Sequence, residues 1–330
     1  MSELLERLGV ERPVVQAGMG GGLAGHALAA AVSGAGGLGT IGILPPEPLG
    51  RAIAAARERA PGKPIAVNLL LPFARRAHWE VAKDADAVVT FWGRPRRRTE
   101  RVWIHQCGSV EEAQAARAAG ADAVIAQGVE AGGHVRGTTP ALELLERTRA
   151  ALGPSYPVLV AGGVADSADL HTALAAGAEA AVLGTRFLMT PESGALDAYK
   201  ERLVASSETV LTQLFGAGWP RAPHRVIWNE AAERWLGGNR RGPGWLRGMH
   251  SALSPVLGRV PLSQQGRLAR LQRADRPLLG PFAAVAGAPH LLDAGPLYAG
   301  ESVARIRDLR PAAQLVEELS ANAPTSAATS

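Results

Sequence analysis

The sequence predicts an α/β fold, with a (β/α)8 TIM barrel over residues 1–190 and a mainly helical C-terminal subdomain over residues 191–330 that covers the active site. Two observations predict the barrel. Eight short apolar runs alternate with helical segments, and eight strands close such a barrel. The runs are continuously apolar rather than alternating, as in parallel strands that are buried on both faces.

The predicted strands share a short apolar body, and several end at glycine. They are residues 12–18, 36–43, 64–71, 86–92, 102–107, 122–127, 157–163 and 179–185. A doubly wound open sheet is the competing fold. It is disfavoured because the glycines of residues 18–22 lack the Gly-x-Gly-x-x-Gly spacing, and no acidic residue follows the second strand.

Helical segments separate most of these strands. Pro45 and Pro46 suit the first turn of a helix. Ser109, with Glu112 three residues later, predicts a capping box. The predicted helices are residues 26–33, 47–59, 73–83, 109–119, 140–152 and 166–177.

The strand–helix alternation stops after Thr190. Residues 237–248 are rich in loop-forming types, and residues 321–330 form a tail of small residues that is expected to fray. Helical segments are expected at residues 196–215, 228–236, 253–271, 280–286 and 302–319. The last of these, about residues 302–319, is expected to pack back on the barrel.

Composition narrows the class of protein. Hydrophobic residues make up 47% of the chain, which is ample for a large core. The sequence has no apolar run long enough to span a membrane, begins with a polar segment, and has a single cysteine, Cys107. These features predict a soluble cytoplasmic protein without a metal site, and leave monomer and homodimer open.

The charge distribution is uneven. Residues 221–276 hold eleven arginines against three acidic residues. Such a segment can attract phosphorylated cofactors, an acidic carrier or nucleic acid, although a solvated helical surface is the simpler interpretation. No interleaved aromatic and basic residues indicate a nucleic-acid platform, so a small-molecule substrate is expected.

Glycines follow the last two predicted strands, where TIM barrels commonly bind phosphate. Gly162 and Gly163 end the seventh strand, and Gly184 precedes Thr185 after the eighth. Backbone N–H groups can converge on phosphate oxygens at such turns. The glycines can also simply turn the chain, but two turns at the two expected positions favour phosphate binding.

Polar side chains end other strands. Asn68 and Gln127 carry amides that can both donate to and accept from a planar heterocycle. Gln106 is a weaker candidate, because it can equally be a satisfied buried amide. The turn at Gly18 and Met19 lets the backbone approach one edge of a planar ligand.

His134 is the candidate general base. It follows Gly133 in a glycine-rich segment just past the sixth strand. An imidazole titrates near neutrality and can take a proton from a weak carbon acid. An isolated loop histidine is more often structural, but this setting favours catalysis. Glu130 is interpreted as a carboxylate that braces the loop, and His105 as a core residue.

The sequence resembles the nitronate monooxygenase family, formerly called 2-nitropropane dioxygenases. The most specific part is Glu-Ala-Gly-Gly-His at residues 130–134, followed later by Gly-Thr-Arg-Phe at residues 184–187. The other matching segments are residues 15–19, 36–39, 67–68, 161–163, 192–193, 223–225 and 298–300. The sister branch is the FMN-dependent enoyl-[acyl-carrier-protein] reductases.

The resemblance implies a flavoprotein that binds FMN non-covalently and uses O2 as co-substrate. It implies that His134 deprotonates a nitroalkane, and that the nitronate is oxidised to a carbonyl compound and nitrite. It implies cofactor contacts at Gly18, Met19, Asn68, Gln127, Gly133, Gly162, Gly163, Gly184 and Thr185. Family members often carry proline where this chain has Gly18, so a looser flavin-edge turn is expected here.

Two alternatives remain open. One is an NAD(P)H-dependent, FMN-containing enoyl reductase, which the arginine-rich segment would suit. The other is a flavin-free barrel that binds a phosphorylated metabolite.

Overall fold

The computed structural model describes residues 3–321 and 323. Its strands are β1 Val14–Gln16, β2 Gly39–Ile41, β3 Ile65–Leu70, β4 Ala87–Phe91, β5 Val102–Cys107, β6 Ala123–Gln127, β7 Gly133–His134, β8 Val158–Ala161, β9 Ala181–Leu183, β10 Val210–Thr212 and β11 His224–Val226. Eight of them form one parallel sheet in the order β1-β9-β8-β6-β5-β4-β3-β2. A parallel bridge between Val15 and Leu38 joins the two ends of this sheet. The predicted (β/α)8 barrel is therefore confirmed.

The helices lie outside the barrel and beyond it in the chain. They are α1 Glu3–Leu8, α2 His26–Gly34, α3 Pro46–Arg59, α4 Arg76–Val81, α5 Val110–Ala118, α6 Ala141–Leu152, α7 Ser167–Ala175, α8 Thr185–Leu188, α9 Asp197–Ala205, α10 Glu230–Leu236, α11 Gly244–Leu257, α12 Leu262–Leu271, α13 Leu291–Ala294 and α14 Ala312–Leu319. Short 3-10 helices occupy Ala82–Asp84 and Glu301–Arg305. None of the described helices is long and apolar enough to cross a bilayer.

The N-terminus of α5 differs in detail from the predicted capping box. The Ser109 hydroxyl accepts a hydrogen bond from the Glu112 backbone N–H at 3.3 Å, as expected of an N-cap. The Glu112 carboxylate, however, accepts from the N–H of Gly108 at 2.9 Å rather than from that of Ser109. The carboxylate also pairs with Arg136 at 2.5 Å, so it ties the start of α5 to the loop beyond β6.

Helix α1 packs against one end of the barrel interior. Leu4, Leu5 and Leu8 belong to the same buried cluster as the inward-facing side chains Val89 and Ile125. The cavity described below therefore opens at the other end of the barrel, where the strands terminate. On the outside, Leu315 and Val316 of α14 join the core between the barrel and its helices.

Five C-terminal expectations were wrong in detail. Residues 253–271 are not one helix, because α11 ends at Leu257 and α12 begins only at Leu262, after Pro261. Residues 196–215 are not one helix, because α9 ends at Ala205 and the β-branched residues of β10 pair with β11. Residues 280–286 are not helical, and Val285 instead bridges to Ala195.

The last predicted helix is divided, because Pro311 cannot occupy a helix interior and serves as the N-cap of α14. Residues 237–248 are not loop throughout, since α11 already begins at Gly244. Apart from Ala321 and Ala323, the predicted frayed tail lies outside the described residues.

Candidate active site

One cavity of about 590 Å³ opens where the barrel strands end. Small-molecule binding pockets in proteins typically have volumes of about 300–1,000 Å³. Every site residue predicted from the sequence lines it. These residues are Gly18, Met19, Asn68, Gln127, Gly133, His134, Gly162, Gly163, Gly184 and Thr185. Gln106 and Glu130 line it as well.

The turn after β8 has a backbone that only glycine adopts readily. Gly162 and Gly163 have φ angles of 115° and 79°. The carbonyl oxygen of Gly163 accepts a hydrogen bond from Arg305 at 2.8 Å, and Arg305 also pairs with Asp169 of α7 at 2.7 Å. This turn is thus fixed in place, with bare backbone facing the cavity.

Gly18 lies against Asn68 across the cavity floor. A Cβ atom built on Gly18 would lie 2.3 Å from Cβ of Asn68 and 2.9 Å from Cγ2 of Thr40. Only a residue without a side chain fits here, so in this chain the glycine permits a close approach between β1 and β3. The structure thus gives a packing reason for glycine at this position, and the looser turn stays a prediction. Asn68 is only 6% exposed, and its amide hydrogen-bonds to no residue that the structure describes.

His134 lies on β7, which is outside the barrel sheet. β7 pairs antiparallel with β11, with His134 opposite His224, and β11 also pairs with β10. Gln127 holds the same loop, because its amide nitrogen donates to the carbonyl of His134 at 2.9 Å and its amide oxygen accepts from the N–H of Arg136 at 3.2 Å. The amide that was expected to face a flavin thus also positions the histidine loop.

Glu130 and Arg225 fasten the start of this loop. The Glu130 carboxylate accepts from the N–H of Ala141 at 3.0 and 3.1 Å, at the first turn of α6. The guanidinium of Arg225, only 7% exposed, donates to the carbonyl of Val129 at 2.7 and 3.2 Å and pairs with Glu301 at 2.9 Å. Both side chains therefore hold the backbone at the start of the histidine loop in place.

Aromatic rings enclose the imidazole of His134. Trp219 stacks on it with centroids 4.0 Å apart and planes inclined by 26°. Tyr298 and Trp92 lie at centroid distances of 5.8 and 6.1 Å. The Nε2 atom of His134 is buried and has no hydrogen-bond partner among the described residues. Burial lowers the pKa of His134 well below its ordinary value, and the neighbouring His224 lowers it further, so the ring is neutral at physiological pH.

His224 is a neighbour to which sequence reasoning assigned no role. It is fully buried, its Nδ1 lies 3.0 Å from the carbonyl of Ala222, and its Nε2 accepts from the N–H of Phe215 at 3.3 Å. Because a carbonyl can only accept, Nδ1 carries the proton. Burial lowers the pKa of His224 to about 4. The only feature of the sequence that could have pointed to His224 was its place in the Pro-His-Arg segment at residues 223–225, which matches the family.

Trp92 is a second residue that sequence reasoning missed. It directly follows β4 and has a φ of 62°, a conformation that bulky residues rarely adopt and that often marks a functional site. Its ring lies under the guanidinium of Arg136 at 5.0 Å and meets Trp219 edge-on at 5.1 Å. The following Gly93 was the only local hint of an unusual backbone.

His105 lies in the barrel wall rather than in the site, as expected. It is 2% exposed, and its Nδ1 lies 2.7 Å from the hydroxyl of Thr90. The Thr90 hydroxyl also accepts a hydrogen bond from the indole of Trp103 at 2.7 Å, so the residue is part of a satisfied core network.

Comparison with known proteins agrees with this architecture. The nitronate monooxygenase family model matches residues 2–103 and 94–322. The nitronate monooxygenase of Pseudomonas aeruginosa is 34% identical over 284 residues, which cover 68% of this chain and 80% of that protein. A relative from Mycobacterium tuberculosis, named (3aS,4S,5R,7aS)-5-hydroxy-7a-methyl-1-oxo-octahydro-1H-indene-4-carboxyl-CoA dehydrogenase, is 34% identical over 251 residues, which cover 72% of this chain and 69% of that protein.

Solved structures with the same fold extend over almost the whole chain. FabK from Thermotoga maritima superposes with a TM-score of 0.75 at 30% identity, covering 97% of this chain and 94% of the other. Nitroalkane oxidase from Streptomyces ansochromogenes superposes with a TM-score of 0.71 at 30% identity, covering 93% and 94% of the two chains. The chain is therefore an oxidoreductase that belongs to the nitronate monooxygenase family.

Proposed function

We propose that the protein is an FMN-dependent monooxygenase that oxidises alkyl nitronates or nitroalkanes, with O2, to a carbonyl compound and nitrite. The observation that carries the proposal is the buried, unpartnered Nε2 of His134 in the wall of the cavity. A buried ring nitrogen without a hydrogen-bond partner is unfavourable unless a ligand supplies that partner.

The residues present fit a flavin mononucleotide. The glycine turn at Gly162 and Gly163, together with Gly184 and Thr185 at the start of α8, would hold the phosphate. Asn68 and Gly18 would meet the ring, since the Asn68 amide lacks a partner among the described residues and Gly18 leaves the floor open. When bound there, FMN supplies the redox chemistry between the nitronate and O2.

The protein's own contribution is the removal of a proton. In the tautomer that carries its proton on Nδ1, neutral His134 offers a lone pair at Nε2, which takes the proton from the carbon next to the nitro group. The electron pair of that C–H bond then moves into the nitro group and leaves a nitronate. The pairing of β7 with β11, together with the amide of Gln127, fixes the position of the imidazole.

The aromatic enclosure keeps water away from this base. Trp219, Trp92 and Tyr298 cover the imidazole, and the low pKa of His134 follows from the resulting burial. A base with a low pKa stays unprotonated throughout the neutral range, so the proton-accepting form is present at physiological pH.

The deciding experiment is the visible absorption spectrum of the purified protein, followed by oxygen uptake with an alkyl nitronate. A yellow protein that consumes oxygen and releases nitrite supports the proposal. A colourless protein that stays unchanged by added FMN contradicts it and favours the flavin-free barrel.

A second candidate is an NAD(P)H-dependent reductase acting on a thioester-linked substrate. The observation that favours it is the exposed arginine face of α12, where Arg270 borders the cavity and Arg267 is close by in the same helix. None of the described acidic residues forms an ion pair with either guanidinium. The Mycobacterium tuberculosis relative is named for a carboxyl-CoA compound, and such an anionic carrier would suit this face. Rapid anaerobic bleaching of the flavin by NADPH, without nitronate turnover, would favour this candidate.

A further inference from the structure

A second cavity, of about 250 Å³, lies beside the candidate active site. Residues 216–221 separate the two. Ala217, Gly218 and Trp219 line the first cavity, whereas Gly216, Pro220 and Arg221 line the second. Gln213 and the first half of α11 complete the wall of the second cavity, and these residues do not line the first.

The lining of this cavity is basic. Arg221 and Arg247 both contribute to it, and no Asp or Glu does. Arg247 donates to the carbonyl of Gly242 at 3.3 Å, and neither guanidinium pairs with a carboxylate among the described residues. Arg221 is exposed and has a φ of 59°, which is uncommon for a residue with a side chain. Two guanidinium groups in the wall of one cavity, without a carboxylate beside them, favour an anionic ligand.

The N-terminus of α11 adds to this positive potential. The helix begins at Gly244, which lines the cavity, after Pro243 as N-cap. No side chain caps its first turn, and no acidic residue lies in that turn. Its first N–H groups therefore carry uncompensated partial positive charge.

His250 is an independent indication that this cavity binds a ligand. It lines the cavity and is only 1% exposed. Its Nε2 is 2.8 Å from the carbonyl of Pro277, so this nitrogen carries the proton. Nδ1 is then a buried acceptor that no residue in the described part of the chain partners. It lies on the side of Gly216, where an added Cβ would be 3.5 Å away. Burial lowers the pKa of His250, which keeps Nδ1 unprotonated at neutral pH. This atom needs a donor from the occupant.

We propose that this second cavity is a binding site for a phosphate group that carries a proton, such as hydrogenphosphate or a singly protonated phosphomonoester. The charged oxygens bind Arg221, Arg247 and the N-terminus of α11, and the P–OH group donates to Nδ1 of His250. Sulfate has the same shape but no proton at neutral pH, so it can satisfy the arginines and not Nδ1. The site is independent of the proposed monooxygenase reaction.

The test is calorimetric titration of the full-length protein with inorganic phosphate in a phosphate-free buffer, after the barrel site has been loaded with FMN and unbound FMN, itself a phosphomonoester, has been removed. Arg221→Gly suits the positive φ and removes one cation, and Arg247→Gln removes the other. Each is expected to weaken phosphate binding at least about tenfold, the loss of one charge-assisted contact. Arg234→Gln is the matched control, since Arg234 is exposed on α10 and outside both cavities, and it should bind phosphate as the wild type does.

The outcomes separate specific binding from general electrostatics. Absence of saturable phosphate binding, or equal weakening by Arg234→Gln, overturns the site. Sulfate binding as tight as phosphate binding overturns the role of His250 Nδ1. A parallel titration with AMP identifies the source of the phosphate, because tighter binding of AMP through the same arginines indicates a phosphomonoester, and weaker binding indicates free phosphate. The melting temperature of Arg247→Gln shows whether that variant is folded. Arg221 is exposed, so Arg221→Gly should fold normally and tests the phosphate site even if Arg247→Gln does not fold.

Discussion

The imidazole of His134 and the indole of Trp219 lie face to face, with centroids 4.0 Å apart, although the two residues are far apart in the chain. The histidine is held by β7 and the tryptophan by residues 216–221. The stack covers one face of the candidate base and limits its rotation. The environment of the base thus depends on the part of the chain beyond the barrel.

Replacement of His134 by glutamine should separate two kinds of substrate. A neutral nitroalkane needs a base, so its turnover should fall at least about 100-fold, the usual contribution of general base catalysis. A preformed alkyl nitronate has already lost the proton, so its oxidation should change far less. Oxygen uptake with both substrates measures the difference, and equal losses for the two would remove His134 from proton transfer.

Substitution at Trp219 should shift the pH profile. Trp219→Ala admits water to the imidazole, so the pKa of His134 rises toward its ordinary value. Because the neutral form is the active base, the acidic limb of kcat/KM for a nitroalkane should move to higher pH. Trp219→Phe keeps a stacked ring and serves as the control. An unchanged profile in Trp219→Ala would show that the indole does not control burial of the base.

Gly18→Ala should be destabilising because of the contact with Asn68. The added Cβ would lie 2.3 Å from Cβ of Asn68, and overpacking of this kind costs about 1–3 kcal/mol. Gly20→Ala is the matched control, because its nearest contact is 3.4 Å, from Ile43. Urea denaturation measures the free energy of unfolding, and absorbance measures retained flavin. Similar behaviour of the two variants would contradict the packing role of Gly18.

The stability of the fold should decrease as the pH falls below 6.5. Burial lowers the pKa of both His105 and His224 from 6.5 to about 4. Between these values the unfolded chain binds protons that the folded chain does not, so the stability present above pH 6.5 is progressively lost down to pH 4. Each histidine contributes at most about 1.4 kcal/mol per pH unit in that window. Urea unfolding at pH 7.5, 5.5 and 4.5 measures the slope, and a flat profile would contradict the burial of neutral imidazoles.

Arg225→Lys should be more disruptive than an exposed exchange of the same type. A lysine cannot make the forked contact with the carbonyl of Val129 while it also pairs with Glu301. We expect a loss of about 1–3 kcal/mol in the free energy of unfolding. Arg202→Lys is the control, because the side chain of Arg202 is 39% exposed in its pair with Asp293 and should lose less than about 1 kcal/mol. Equal losses would show that burial of Arg225 is unimportant.

The barrel could be predicted from sequence because each strand carries its own signal. A run such as Ile65–Leu70 is apolar except for Asn68 and lies between Pro64 and Pro72, so no knowledge of its partners is needed. The candidate site followed from the same signal, since the strand ends meet at one face. The loop role of the Gln127 amide was not visible, because its partners depend on the path of the chain after β6.

The region beyond the barrel lacked such local signals. The sheet of β7, β10 and β11 joins strands of two or three residues from distant parts of the chain, too short to show a period. The stacking of Trp219 on His134 likewise depends on where residues 216–221 lie in space. The tryptophans were visible in the sequence, but their positions around the base were not.

Closure of the barrel sets the order in which a nascent chain can finish folding. Val14 of β1 pairs with Ala181 of β9, so the first strand leaves the ribosome long before its partner exists. Until then β1 has an open edge and can pair with only one neighbour, through Val15 and Leu38. Contacts of such long sequence separation are slow to form. Synthesis of the ninth strand is therefore the step after which the exposed edge disappears and the risk of misassembly with other chains falls.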